Sequence, residues 1–188
     1  MQENKKITLI PGWMNSKGMY EGNYEILEIW KNRIPVEEKI ESDYVIAHSL
    51  GCNWALQNWE KNRNFKLILV NPLLPKRTLL IWFRKWLRFH WSPLEENPLN
   101  KEIVKGIGNW WFGIKACLKL LEYDFDETLE SFPRENIVIF YSQHDLFYCD
   151  KKLKKYLRSK DIRAIEIEDV GHDWNPKMDE AIEKLLES

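Results

Sequence analysis

Five short apolar runs govern what this chain can become: Ile7–Ile10, Tyr44–Ala47, Lys66–Val70, Ile137–Tyr141 and Ala164–Ile167. They are rich in Ile and Val rather than alternating with charges, as strands buried on both faces are. Between them lie helical patterns. Cys52, Ala55, Leu56 and Trp59 recur on one helical face, as do Ile114, Cys117, Leu118 and Leu121, and again Met178, Ala181, Ile182 and Leu185. Asn175 followed by Pro176 supplies an N-cap and a first helical position for the last of these helices. Strand alternating with helix predicts an α/β fold, a mostly parallel sheet covered on both sides. The 188 residues, 44% of them apolar, suit a single domain over 1–188, with no internal repeat or low-complexity linker.

Charge and cysteine usage narrow the partners. Lys and Arg total 28 against 29 Asp and Glu, a formal charge of -1, without the basic excess that binding to a phosphate backbone needs. Nucleic acid is not an expected partner. The longest apolar runs, such as residues 79–83, fall short of the ~7–15 apolar residues of a secretion signal and the ~20 of a membrane span. A soluble cytoplasmic protein without a transmembrane segment is therefore expected. Cys52, Cys117 and Cys149 form no Cys-x-x-Cys pair, which predicts neither a disulfide framework nor a cysteine-rich zinc site.

The segment Tyr44-Val45-Ile46-Ala47-His48-Ser49-Leu50-Gly51-Cys52 places a serine where a strand stops and an amphipathic helix begins. A nucleophile needs that placement: the sharp turn lifts Oγ clear of the backbone, and the helix N-terminus and following amide favour developing negative charge. Ala47 and Gly51 are the small flanking residues, with alanine replacing the first glycine of Gly-x-Ser-x-Gly. A plain serine N-cap is the alternative. Two later residues bear on the choice. Asp145 follows the fourth run and His172 the fifth, each just beyond a strand's C-terminal end, where residues of a parallel sheet converge on one edge. Alone, Asp145 reads as a turn residue and His172 as a loop histidine. Together, in the chain order Ser49, Asp145, His172, they predict a Ser-His-Asp triad. Asp169 and Asp173 rival Asp145 but neighbour His172 on its own loop, and His48 reads as a packing or hydrogen-bonding residue.

These segments resemble the small single-domain serine hydrolases of the α/β-hydrolase fold, the group that includes the retinoblastoma-binding serine hydrolase and its bacterial relatives. The matching residues are Pro11-Gly12-Trp13-Met14-Asn15-Ser16, Ala47-His48-Ser49-Leu50-Gly51-Cys52, Asp145-Leu146-Phe147-Tyr148-Cys149 and Gly171-His172. The resemblance implies Ser49 as nucleophile, His172 as base, Asp145 as the residue that orients it, and the Trp13 and Leu50 amides as oxyanion donors. It also implies hydrolysis of carboxylic esters or thioesters through an acyl-enzyme, a chemistry that requires no metal or organic cofactor. Two departures stand out. Phe147 is an extra residue before Tyr148-Cys149. The stretch between Ile10 and Tyr44 has room for one crossover helix, expected around 23–32, and a turn near 37–42. The usual intervening strand-helix pair is therefore expected to be missing, leaving a reduced sheet of about five parallel strands. The runner-up from another class is a non-catalytic binding or regulatory protein on a hydrolase scaffold.

One stretch breaks the alternation. An insertion at about 72–113, helical in pieces, carries Pro72, Pro75, Pro93 and Pro98 and five of the ten tryptophans: Trp82, Trp86, Trp91, Trp110 and Trp111. Insertions this long are functional or disordered, and the aromatic content speaks against disorder. Between Lys76 and Trp91 there are five basic residues and no acidic one. Three explanations stay open. The aromatics close the core beneath snorkelling basic side chains; or Trp82, Trp86, Trp110 and Trp111 line an acyl pocket while the basic face attracts an acidic acyl carrier protein; or the helix lies on a membrane surface.

Overall fold

The computed structural model describes residues 5–187 apart from 14, 16, 33, 36, 63–64 and 91–106. Its strands are β1 (Ile7–Ile10), β2 (Glu25–Ile26), β3 (Tyr44–His48), β4 (Lys66–Val70), β5 (Ile137–Ser142) and β6 (Ala164–Ile167). All pairings are parallel, in the order β2-β1-β3-β4-β5-β6. The five apolar runs are therefore all strands, and β3 and β5 run one residue further than the patterns predict.

The sixth strand corrects an expectation. No helix occupies 23–32 as a unit; Glu25 and Ile26 pair with Thr8 and Leu9 of β1, and helix α1 (Ile29–Asn32) is a single turn. The strand-helix pair is reduced rather than missing. A strand this short adds only an edge, so the register β1-β3-β4-β5 is untouched by its reduction.

Period-two alternation divides the strand side chains between two cores. Ile10, Val45, Ala47, Leu67, Leu69, Ile137 and Ile139 belong to one. Against it pack α2 (Leu50–Asn62), α4 (Ile107–Glu122), α5 (Asp126–Ser131) and α6 (Lys151–Ser159). Leu9, Ile46, Ile68, Val70, Phe140 and Ile167 belong to the other, covered by Met178 and Ile182 of α7 (Pro176–Glu187) with Tyr20 and Trp174. The faces predicted for α2 and α7 are those that pack, and Asn175 Oδ1 accepts from Lys177 N at 3.0 Å as the N-cap of α7. In α4 the predicted Leu118 is 40% exposed and Leu120 is buried in its place. The other exception is β6, an edge strand in which only Ile167 is buried.

The stretch predicted as an insertion holds α3 (Leu79–His90) and the first part of α4. Its expected end at 113 falls inside α4, whose Cys117, Leu120 and Leu121 belong to the core. Trp91 lies outside the described residues, and so do the side chains of Trp110 and Trp111. Among the described residues no helix is long and apolar enough to cross a membrane.

Candidate active site

β1 has β2 on one side and β3 on the other, so the connections that follow β1 and β3 run to opposite sides and a crevice opens at the C-terminal ends of these strands. The loop after β1 and the turn after β3 meet there. Ser49 holds that turn with φ 52°, in the left-handed region, a conformation that costs a residue bearing a Cβ on the order of 1–2 kcal/mol. Its N–H donates to Val70 O at 2.9 Å and its carbonyl accepts from Cys52 N at 3.0 Å, so both neighbours hold the bend. Gly51 is obligatory: a Cβ there would lie 2.6 Å from Pro11 O and 2.8 Å from Ile10 O. The β1 loop thus presses directly on the first turn of α2.

Ser49, Asp145 and His172 come together from three strand ends. Ser49 Oγ lies 2.7 Å from His172 Nε2, and His172 Nδ1 lies 2.7 Å from Asp145 Oδ2. All three residues are buried. Asp145 Oδ1 accepts from the amides of Phe147 at 2.6 Å and Tyr148 at 3.1 Å. Burial alone would raise the Asp145 carboxyl, but the neighbouring His172 and the hydrogen bonds from His172, Cys149 and Phe147 outweigh it, leaving it below the usual carboxylate range. The rivals fall elsewhere. Asp169 is exposed and faces His144 and Lys177, and Asp173 borders the cleft while His172 Nδ1 is engaged by Asp145.

Above Ser49 lies a narrow cleft of about 40 Å³. Trp13 and Leu50 border it at the elbow, Trp82, Trp86 and Phe89 come from α3, and Phe147 comes from the Asp145 loop. Phe89 and Phe147 set their rings edge-on to His172 at 5.3 and 5.1 Å between centroids. The extra residue of the Asp145 segment is therefore a wall of the cleft. Trp13 and Trp82 are 6.4 Å apart, and Trp82 stacks parallel to Trp86 at 6.2 Å. Of the four tryptophans expected at the cleft, Trp82 and Trp86 line it; the side chains of Trp110 and Trp111 lie outside the described residues.

Solved structures of similar shape match nearly the whole chain. A thermophilic esterase from Thermogutta terrifontis has a TM-score of 0.60 at 15% identity, covering 98% of this chain and 90% of that one. Carboxylesterase CesB from Bacillus subtilis has 0.60 at 10% identity, covering 99% and 85%. A hydrolase from Oleispira antarctica has 0.59 at 12%, covering 98% and 90%. The fold is that of the α/β hydrolases. No protein-family model matches the sequence, and no curated protein matches it.

The α/β-hydrolase scaffold also brings in residues that the sequence patterns did not single out for the site. Asn71, at the end of β4 with φ 50°, donates through Nδ2 to His172 O at 2.9 Å and accepts Ser142 N–H on Oδ1 at 2.8 Å. It thereby joins β4, β5 and the His172 loop. The one available signal is its position: Asn71-Pro72 ends a buried run at the same sheet edge as Ser49. Cys149, buried, places its thiol against Asp145 and Asn71. Burial pushes the Cys149 thiol well up, so it serves as a neutral donor. Among the described residues no group of three or more His, Cys, Asp or Glu is placed to hold a metal ion.

Proposed function

We infer that this protein is a serine hydrolase of carboxylic esters or thioesters, related to the small single-domain hydrolases its motifs resemble. The observation that carries the reading is the row of 2.7 Å contacts from Ser49 Oγ through His172 to Asp145 at the floor of an aromatic cleft. His172 Nε2 takes the Ser49 proton as Oγ attacks the acyl carbon. Asp145 keeps the other ring proton on Nδ1 and balances the imidazolium. The amides of Trp13 and Leu50, at the cleft beside Ser49, donate to the tetrahedral oxyanion. His172 then protonates the leaving group, and water repeats the sequence to release the acid.

The aromatic lining favours an apolar acyl group. Trp82 Nε1 is buried with no hydrogen-bond partner among the described residues, and an ester oxygen would supply one. That neighbours of the same fold are described as esterases and carboxylesterases supports the reaction class. In this reading α3 is part of a lid over a single cytoplasmic domain. Its exposed Arg84 and Arg88 are the basic residues open to an acidic acyl carrier. Lys85 and Arg77 are not, because both pair with Asp150.

A fluorophosphonate probe tests the nucleophile. Wild-type protein labels on Ser49 and Ser49→Ala does not, while folded wild-type protein that never labels returns the scaffold to a binding role. p-Nitrophenyl esters of graded chain length then define the acyl preference.

A further inference from the structure

A second line of hydrogen bonds runs behind Ser49, and ester hydrolysis by Ser49, His172 and Asp145 makes no direct use of it. Gly12 N–H, in the loop that carries Trp13, donates to Tyr20 Oη at 3.0 Å. Tyr20 Oη lies 3.2 Å from His48 Nδ1, and His48 Nε2 lies 2.9 Å from the backbone oxygen of His172. The protons along this line can be assigned. A carbonyl only accepts, so His48 Nε2 carries a hydrogen. His48 is fully buried, and that burial, reinforced by the charge of His172, pulls its imidazole down to about 3. The ring is neutral at pH 7, and Nδ1 is left as an acceptor. Tyr20 Oη already accepts from Gly12 and therefore donates to Nδ1; burial pushes its own ionisation far up, so the phenol stays intact. The line runs one way, from Gly12 N–H through Tyr20 and His48 to the His172 carbonyl.

Building on Ser49 as nucleophile, we propose that Tyr20 and His48 are positioning residues that couple the loop bearing the Trp13 amide to the backbone of His172. The oxyanion donor and the general base thereby keep one separation as Ser49 attacks. Contacts on both sides make the coupling tight. A Cβ on Gly12 would lie 3.1 Å from His48 Nδ1 and 3.1 Å from Ser49 Cβ, so loop, imidazole and nucleophile touch. The His172 carbonyl receives Asn71 Nδ2 as a second donor at 2.9 Å, which fills both of its lone pairs. Trp174 backs the line, edge-on to His48 at 5.5 Å and to Tyr20 at 4.8 Å. Its Nε1 is tied to Asp179 of α7 at 2.9 Å.

Tyr20→Phe removes the middle hydroxyl and keeps the ring against Trp174. In this variant kcat on p-nitrophenyl acetate falls on the order of tenfold while KM stays within about twofold, because the ground-state cleft is unchanged. The melting temperature falls by about a few degrees, because Gly12 N–H and His48 Nδ1 lose their partner, and the fold is kept. His48→Gln, whose amide reaches toward the His172 carbonyl as a donor, retains more kcat than His48→Leu of similar bulk. Imidazole ¹⁵N NMR of the wild-type protein at pH 7 shows His48 as the neutral Nε2–H tautomer. Wild-type kcat in folded Tyr20→Phe, or His48 found protonated or as the Nδ1–H tautomer, overturns the proposal. The NMR measurement needs no substrate, so failure of this line is distinguishable from failure of Ser49 to label.

Discussion

The floor of the cleft is joined by hydrogen bonds between buried groups: Ser49 to His172, His172 to Asp145, and both His48 and Asn71 to the His172 carbonyl. The wall contributed by α3 meets that floor through the ring of Phe89 on His172, and Phe89 and Trp82 meet the Phe147 wall. A charged cluster also ties α3 down: Arg77, just before the helix, and Lys85 within it reach Asp150 at 2.6 and 2.9 Å. Among the described residues its outer side presents apolar side chains, with Leu80 79% and Phe83 49% exposed. Directional contacts fix atoms to tenths of an ångström, as proton transfer needs, whereas ring contacts tolerate sliding and suit a surface that selects by size and polarity. The floor is thus built for chemistry and the wall for choice of substrate.

The sharpest test of that contrast is to break the floor. Asp145→Asn and His172→Ala should each lower kcat/KM for a p-nitrophenyl ester on the order of 10³-fold or more while circular dichroism stays native. Asp173→Asn should stay within about tenfold. Near-normal activity in Asp145→Asn, with loss in Asp173→Asn, would reassign the partner of His172.

Gly51→Ala sets a Cβ against two backbone oxygens that cannot step aside. It should cost about 1–3 kcal/mol in urea unfolding, and the rate of fluorophosphonate labelling should fall with it. A variant as stable and reactive as wild type would mean that the β1 loop yields and the floor is softer than its hydrogen bonds suggest.

The wall should respond differently. Trp82→Ala or Trp86→Ala should weaken the preference for longer acyl chains, by roughly fourfold per methylene lost from contact at about 0.8 kcal/mol each. Acetyl esters should change much less. Parallel chain-length profiles with a lowered melting temperature would assign these rings to core closure alone.

Asp150→Asn tests the polar tie while preserving the N-cap of α6, since an amide oxygen can still accept from Lys152 and Leu153 N–H. Burial opposes ionisation of Asp150, but hydrogen bonds from Arg77 and Lys85 outweigh it and hold its carboxyl far below the ordinary range. Its contribution is therefore complete above the unfolded value of about 4 and is lost as pH falls toward the folded one. The variant should be about 1–2 kcal/mol less stable at pH 6, discounted for the partial exposure of Asp150. The gap should close progressively below pH ~4. The smallest effect is expected from Arg84→Ser with Arg88→Ser. A carrier-linked substrate should lose roughly two- to fivefold in kcat/KM with a flatter salt dependence, and free esters should react as before. A loss of vesicle co-sedimentation in that double variant would favour a membrane surface over a carrier.

Much of the scaffold was legible in the chain. Ile- and Val-rich runs such as 45–47 and 67–70 are buried on both faces of the parallel sheet, as their composition predicts, and Cys52, Ala55, Leu56 and Trp59 pack as their spacing requires. Ser49, Asp145 and His172 stood out because each follows a strand, and parallel strands deliver their C-terminal ends to one edge. The two-residue β2 was not legible: Glu25 and Ile26 carry no periodic signal and pair only because β1 offers an open edge. Nor was the boundary of the insertion, since α4 shares its length between an aromatic segment and the core.

Sequence by itself determined five strands of the sheet, the packed faces of α2 and α7 and the three residues at the sheet edge, because those follow from local hydrophobic period and chain order. Only the tertiary structure decided the 2.7 Å approach of Asp145 Oδ2 to His172 Nδ1 and that Asn71 and His48 converge on a single carbonyl. It alone decided, too, that Phe147 forms a wall. Those contacts join residues 25 to 124 positions apart. No periodicity within one segment encodes a distance set by how separate strands and loops pack against one another.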